Sequence, residues 1–600
     1  MKHAFSVLLR ARPRFGFART PAAGPVRAVP ICARLTFACP ACAQMGSAAA
    51  THGRRSRIVA PFLALLLIVP SAAAEPAGIR VRVSFPASVR AEAVTGRVYF
   101  ALNRGDAPAT GRGGGGPVQQ AGPTGAPLFG VNVESLKPGA VAEIDGAVFG
   151  HPVASLNDIP KGEYLVQAFV NVYTKFERAD GHTVWLHMDQ WEGQDWRRSP
   201  GNLFSTPKRV AFDPRAKDAK ARIIDLVCDQ VIPPIPEIPD TEYVKRLKFK
   251  SAILSKWWGQ PVYLGATVLL PKDYDKHPGV KYLVNYSQGH FSTRSPGGFG
   301  SGRAFDALWL AEDTPRFLYV TFQHPSPYYD DSYAVNSANN GPYGDTIIQE
   351  LVTAIEERFR VIREPWARKL SGGSTGGWEA LALQILHPDF FGGTWASCPD
   401  SVDFRAHQIV NIYGDDNAYF VDRGWTKVER PNQRTPDGAI TSMMKDENWF
   451  ELASGDRSRS GGQWDIWEAT FSPAGADGYP APIWDKRTGK IDKQVAAYWK
   501  EHYDLRAILE RDWKTLGPQL VGKLNIYVGD DDSFYLDNGV ELMEKFLEST
   551  KTPYYAGSVT YKRGAPHCWG PPAKELLDAM ARHIERWAPV GADITSWRYK

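Results

Sequence analysis

The chain has 600 residues, 43% of them hydrophobic and 22% charged, with 19 Trp and 24 Tyr. That length exceeds one ordinary core, and that composition excludes disordered and fibrous proteins, so two folded domains are expected. The formal charge of +5 invites a nucleic-acid partner, yet residues 1–74 hold ten Lys and Arg and no acid, leaving 60 basic against 65 acidic residues beyond them. No nucleic-acid partner is therefore expected.

The basic segment has the layout of a secretory leader: Arg54, Arg55 and Arg57, an apolar stretch over residues 58–69, then Ser71-Ala72-Ala73-Ala74. Cleavage is expected after Ala74, giving a periplasmic or secreted protein. The apolar stretch is shorter than the roughly 20 residues a membrane helix needs, so no membrane anchor is expected. A start at Met45 would give the leader ordinary proportions, which predicts that residues 1–44 come from an over-long reading of the gene. Cys32, Cys39 and Cys42 fall in this segment; Cys228, Cys398 and Cys568 remain and allow one disulfide at most.

Residues 75–231 alternate short β-rich runs with turns, as in Ile79 to Val83, Gly96 to Phe100 and Tyr164 to Val170. This spacing predicts a small antiparallel sandwich. The Gly113 to Gly116 run lacks the Lys-Ser/Thr and helix of a phosphate cradle and reads as a loop. His187 and Asp189, two apart on one predicted strand with no further cluster, read as surface residues rather than metal ligands. Residues 232–240, with a proline at nearly every second position, read as a stiff linker.

From residue 241 onward strands alternate with helices, which predicts an α/β domain whose mainly parallel sheet is covered on both faces. Strands are expected over 264–270, 281–286, 317–322, 368–370, 394–397, 524–528 and 558–561. Asp345 is the expected cap of a helix carrying Ile347, Leu351, Ile355 and Phe359, and Leu576, Leu577, Met580, Ile584 and Trp587 mark a last helix. Residues 403–513 break the pattern and predict a cap-like insertion beside the site. Trp257, Trp258, Tyr328, Tyr329, Tyr333 and Tyr343 either line a cleft or pack the core.

Arg368-Lys369-Leu370 runs into Gly372-Gly373-Ser374-Thr375-Gly376-Gly377 and then a helix-forming stretch. A strand, a tight glycine turn and a helix are what a nucleophile elbow needs, which makes Ser374 the candidate nucleophile. A serine hydroxyl needs a base, and the base an acid that fixes its tautomer. His567, in the Gly/Pro loop after the last predicted strand, is the candidate base. The run Gly529-Asp530-Asp531-Asp532 ends the preceding strand; Asp532 is the preferred acid, Asp530 and Asp531 read as solvated turn residues, and Asp400 is an alternative location. The oxyanion donors are expected at the N–H of Thr375 and in the loop after residue 286, at Gln288 to His290, most simply Gln288 and Gly289. His290 itself comes too early in the chain order for the base and reads as loop-shaping.

This order of motifs, with Leu264-Gly265-Ala266-Thr267-Val268-Leu269-Leu270-Pro271 and His567-Cys568-Trp569, resembles the family of α/β hydrolases that includes esterase D and enterochelin esterase. The sandwich ahead of it is similar to the one preceding the catalytic domain of enterochelin-esterase-like proteins. The resemblance implies an α/β-hydrolase fold and hydrolysis of a small-molecule or polysaccharide-linked ester by Ser374, Asp532 and His567, without metal or cofactor. The three consecutive aspartates and residues 403–513 depart from the family's pattern. A serine peptidase, an acyltransferase, or a retired hydrolase that binds polysaccharide or an envelope partner are the competing readings. Cys568 either pairs with Cys398 or both remain thiols.

Overall fold

A computed structural model describes residues 78–104 and 116–599. The leader, its cleavage point and Gly113 to Gly115 lie outside the described residues. Among the described residues no helix is long and apolar enough to cross a membrane.

The N-terminal part is two facing sheets. One has three strands, Arg80–Ser84, Ala142–Ile144 and Ile223–Val227; the larger is centred on Val94–Asn103, Leu128–Leu136 and Gly162–Glu177. In Arg80–Ser84, Val81 and Val83 enter the core while Arg80 and Arg82 face outward, the alternation that a half-buried strand imposes. The antiparallel expectation fails at one pair, because Arg80–Ser84 runs parallel to Ile223–Val227. Parallel neighbours need a long connection, and here the rest of the sandwich supplies it. His187 is not the surface residue expected, while Asp189 is half-buried. His187 is buried between Asn171 and Glu192, at 2.8 Å from each, and Asp189 accepts the N–H groups of Trp191, Gly193 and Gln194. Together they fold the loop behind their strand.

Residues 232–240 carry no helix or strand. Beyond them lies an eight-stranded sheet of β1 (Val244–Ser251), β2 (Val262–Leu269), β3 (Leu283–Gln288), β4 (Phe317–Gln323), β5 (Arg368–Gly373), β6 (Thr394–Ser397), β7 (Leu524–Gly529) and β8 (Ser558–Lys562). Their spatial order is β1-β2-β4-β3-β5-β6-β7-β8, with β2 antiparallel to both neighbours and β3 to β8 parallel. β2 is apolar almost throughout and buried along nearly its whole length, whereas the central β5 begins with Arg368 and Lys369, both buried. β1, with Lys and Arg at alternate positions, gave no sequence signal because it is an edge strand.

The helix after Gly341–Pro342 starts at Tyr343, two residues before Asp345, so Asp345 lies in its first turn rather than capping it. The Asp345 N–H is taken by Asn336 Oδ1, and the start is set by Pro342, which cannot donate. The helix α1 (Thr375–Leu386) follows β5 and is buried from Thr375 to Ile385. Trp258, Tyr328, Tyr333 and Tyr343 belong to the core.

The insertion forms two short hairpins, Phe420–Asp422 with Lys427–Glu429 and Pro431–Arg434 with Ile440–Met443, and the helices α2 (Met444–Ser454), α3 (Gln463–Phe471), α4 (Lys493–His502) and α5 (Leu505–Leu520), the last running past the expected boundary at 513. An aromatic cluster of Phe404, His407, Trp464, Trp467 and Trp499 knits them together, and Phe471 carries them onto the sheet layer against Tyr333 and Trp378. The sandwich grips the C-terminal end of α2. Arg97 donates to the Ala453 carbonyl at 2.9 Å and Tyr99 to that of Ser454, so a cation meets the negative end of the helix.

Candidate active site

Ser374 sits between β5 and α1 with φ 57° and ψ −125°, a conformation that costs a side-chain-bearing residue energy and that the surrounding turn must impose. Ser374 N–H donates to Ser397 O at 3.1 Å, and Asp400 N–H donates to Ser374 O at 3.2 Å, pinning the turn to β6. The glycines are needed for packing. A Cβ on Gly372 would lie 2.1 Å from Gly376 O, and one on Gly376 would lie 2.2 Å from Gln288 O and 2.7 Å from Gly289 N. The loop of Gln288 and Gly289 thus lies directly against the nucleophile turn, beside the N-terminus of α1 where Thr375 begins the helix. Its N-terminal N–H groups have no partner within the helix.

His567 Nε2 is 2.9 Å from Ser374 Oγ, and His567 Nδ1 is 2.8 Å from Asp532 Oδ2. Asp532 is fully buried at the end of β7, and its other oxygen accepts the Phe534 N–H at 2.9 Å. A carboxylate there accepts the Nδ1 proton and leaves Nε2 free to accept from the serine hydroxyl. Asp530 is exposed and accepts the Gly564 N–H at 2.6 Å, away from the histidine. Burial lowers the His567 pKa, but Asp532 and the Cys568 thiol outweigh it and push it up to about 10.

The structure also brings Asp400 to the nucleophile rather than to the histidine. Its Oδ1 lies 3.3 Å from Ser374 Oγ, and its Oδ2 accepts from Tyr333 at 2.6 Å and from Thr375 Oγ1 at 3.1 Å. Burial raises the Asp400 pKa, and these neutral donors oppose that rise. Cys398 and Cys568 are both free thiols. With His567 they form a group whose ligand atoms lie within 4.8 Å of one another, but both nitrogens of His567 are engaged by Ser374 and Asp532.

Above Ser374 opens a cleft of about 630 Å³ whose walls come from three parts of the chain. Phe534 and His567 come from the sheet edge, Phe450, Gln463, Trp464 and Trp467 from α2 and α3, and Pro123 from the sandwich. The sequence places a cap-like insertion over 403–513 beside the site but names none of its wall residues. Gln463 was missed, though Tyr329 donates to its Oε1 at 2.6 Å and its amide reaches the Tyr333 hydroxyl.

No protein-family model matches the chain, and no curated protein matches it. Among solved structures it is similar to a ferulic acid esterase, with 16% identity and a TM-score of 0.32 over 57% of this chain and 99% of that one. An S-formylglutathione hydrolase from Agrobacterium tumefaciens matches at 14% identity and TM-score 0.29, covering 57% and 95% of the two chains. That of Staphylococcus aureus matches at 12% identity and TM-score 0.31, covering 57% and 98%. The strand order, the single antiparallel β2 within it, and the strained serine between β5 and its helix give residues 244–599 the α/β-hydrolase fold, preceded by an all-β sandwich.

Proposed function

We propose that the protein is an exported serine hydrolase that cleaves carboxylic esters through an acyl-enzyme. The observation that carries this is the chain of contacts from Asp532 to His567 to Ser374, at 2.8 and 2.9 Å, opening into a cleft. His567 Nε2 takes the hydroxyl proton as Ser374 Oγ bonds to the ester carbonyl carbon. The oxyanion is received by the backbone N–H of Thr375 and those of Gln288 and Gly289. Collapse of the intermediate breaks the bond to the alcohol oxygen, which takes the proton from His567. Water, deprotonated by the same histidine, then attacks the acyl carbon and frees the acid and Ser374.

The cleft walls of Phe450, Trp464, Trp467 and Phe534, with Gln463 among them, suit an acyl or alcohol group with an aromatic or sugar face, free or attached to polysaccharide. The same triad serves peptidases and acyltransferases, so substrate choice rests on assay. Turnover of p-nitrophenyl acetate that vanishes in Ser374→Ala, with fluorophosphonate labelling of Ser374, is the expected result. A folded protein that neither labels nor turns over any of acetyl, feruloyl and catecholate esters would sink the proposal. The leader read from residues 45–74 supports export, and N-terminal sequencing of the protein recovered outside the cytoplasm tests it.

A further inference from the structure

Three strand ends meet beside the oxyanion loop and bring together charges that the triad does not use. His290 follows β3, Asp330 and Asp331 follow β4, and Glu379 lies one turn into α1 beyond Ser374. His290 Nδ1 is 3.1 Å from Asp330 Oδ1 and 3.3 Å from Asp331 Oδ2. Their ligand atoms all lie within 4.8 Å of one another.

Glu379 is the independent sign that something is held here. It is 0% exposed, and neither carboxylate oxygen accepts a hydrogen bond. Asp331 is 1% exposed, and the His290 Nδ1 that its Oδ2 meets at 3.3 Å is shared with Asp330. A buried carboxylate without donors carries a large desolvation cost unless a charge meets it. Burial, and then repulsion from Asp331, hold the Glu379 carboxyl well above the usual carboxylate range. His324 does not meet the need. Its Nδ1 accepts the Ser332 N–H at 3.2 Å, which places the ring proton on Nε2, 3.8 Å from Glu379 Oε1 and beyond hydrogen-bond reach.

We propose that His290, Asp330 and Asp331, backed by Glu379, form a site for a structural divalent cation that ties the oxyanion loop to the nucleophile helix. The spacings of 3.1 and 3.3 Å are those of neighbouring donors around one ion, at bonds of roughly 2.1–2.4 Å. Carboxylate oxygens with a single imidazole are a hard donor set, which favours Mn²⁺ or Ca²⁺ over the thiol-seeking metals. His290 is about half exposed, which leaves a way in for the ion. The ion takes no part in the serine chemistry; it fixes where Gln288 and Gly289 stand and cancels the repulsion between Asp331 and Glu379.

The test uses the full-length protein stripped with a chelator and then equilibrated separately with Mn²⁺ and Ca²⁺. Metal analysis after gel filtration, the electron paramagnetic resonance signal of bound Mn²⁺, and the melting temperature are read. About one ion per chain and a raised melting temperature are expected. Asp331→Asn should lose the ion, and Glu379→Gln should bind it about 10–100-fold more weakly. Asp330→Asn, at a partly exposed position where folding is safest, should also lose it. An unmodified protein that retains neither ion overturns the site, leaving a proton shared among the acids. Retention unchanged in both Asp331→Asn and Asp330→Asn overturns it too, since the ion would then sit elsewhere.

Discussion

The Asp532 carboxylate accepts the His567 Nδ1 proton at 2.8 Å, while Asp530, two residues earlier, turns away to accept the Gly564 N–H at 2.6 Å. Two acids of the same run thus do different work because the chain turns past the end of β7 between them.

Asp532→Asn should lower kcat on p-nitrophenyl acetate by about 10⁴-fold, the loss seen when a triad histidine is left in the wrong tautomer. Asp530→Asn and Asp531→Asn should stay within about tenfold of the parent, since neither touches His567. Steady-state rates of the three variants decide the matter, and a collapse confined to Asp530→Asn would reassign the acid.

His567 must be neutral to act as base, so kcat/KM should rise with pH through its pKa. Burial lowers that pKa, but Asp532 and Cys568 raise it to about 10, so the limb should lie above the ordinary histidine range. Cys568→Ser removes one of the raising groups and should move the limb to lower pH. A pH–rate profile of both proteins checks this; superimposable limbs would remove Cys568 from the account.

Gly376→Ala places a methyl 2.2 Å from Gln288 O and must push the oxyanion loop off the nucleophile turn. A fall in kcat of about 10²–10³-fold is expected, the size of losing one oxyanion donor. Circular dichroism should show the fold intact, and fluorophosphonate labelling should slow in proportion.

Arg97→Ala removes the donor to the end of α2 and should cost about 1.5–3 kcal/mol in urea unfolding. Because α2 bears Phe450 on the cleft wall, KM for bulky aryl esters should rise more than KM for acetate. Equal effects on both would place the tether outside substrate binding.

Within the cap, Lys486 is 3.1 Å from Glu451 and 2.5 Å from Asp465, both buried. Lys486→Met strands these acids and should cost about 3–5 kcal/mol. Burial raises Glu451 from 4.5 to about 8, and Glu468 to about 7, against the pull of Lys486. The folded state therefore binds more protons than the unfolded one between pH 4.5 and about 8, and the contribution of these acids to stability falls as pH rises through that window. Without Lys486 the slope should steepen, as urea titrations at pH 5 and pH 8 would show.

Chain order and turn chemistry made the catalytic layer legible. Ser374, Asp532 and His567 follow β5, β7 and β8 in chain order, and glycines flank the serine because backbone must pass within van der Waals contact there. β1 was illegible, since an edge strand with four Lys and Arg in eight residues carries no apolar run. The cap was expected as a whole, but its helices were not: α3 is buried on all sides, so its residues show no polar face to set a helical period. The environments of Asp400 and Glu379 are products of tertiary folding alone, since their neighbours come from segments distant in sequence.

Pro123 on the cleft wall and Arg97 on the cap helix give the β-rich sandwich a say in what reaches Ser374. Relatives that keep the serine turn but carry another N-terminal module would then inherit the bond-breaking step without the selectivity. On the proposed reading, exchanging loops around residue 123 would change which esters reach Ser374 while leaving Ser374, Asp532 and His567 untouched.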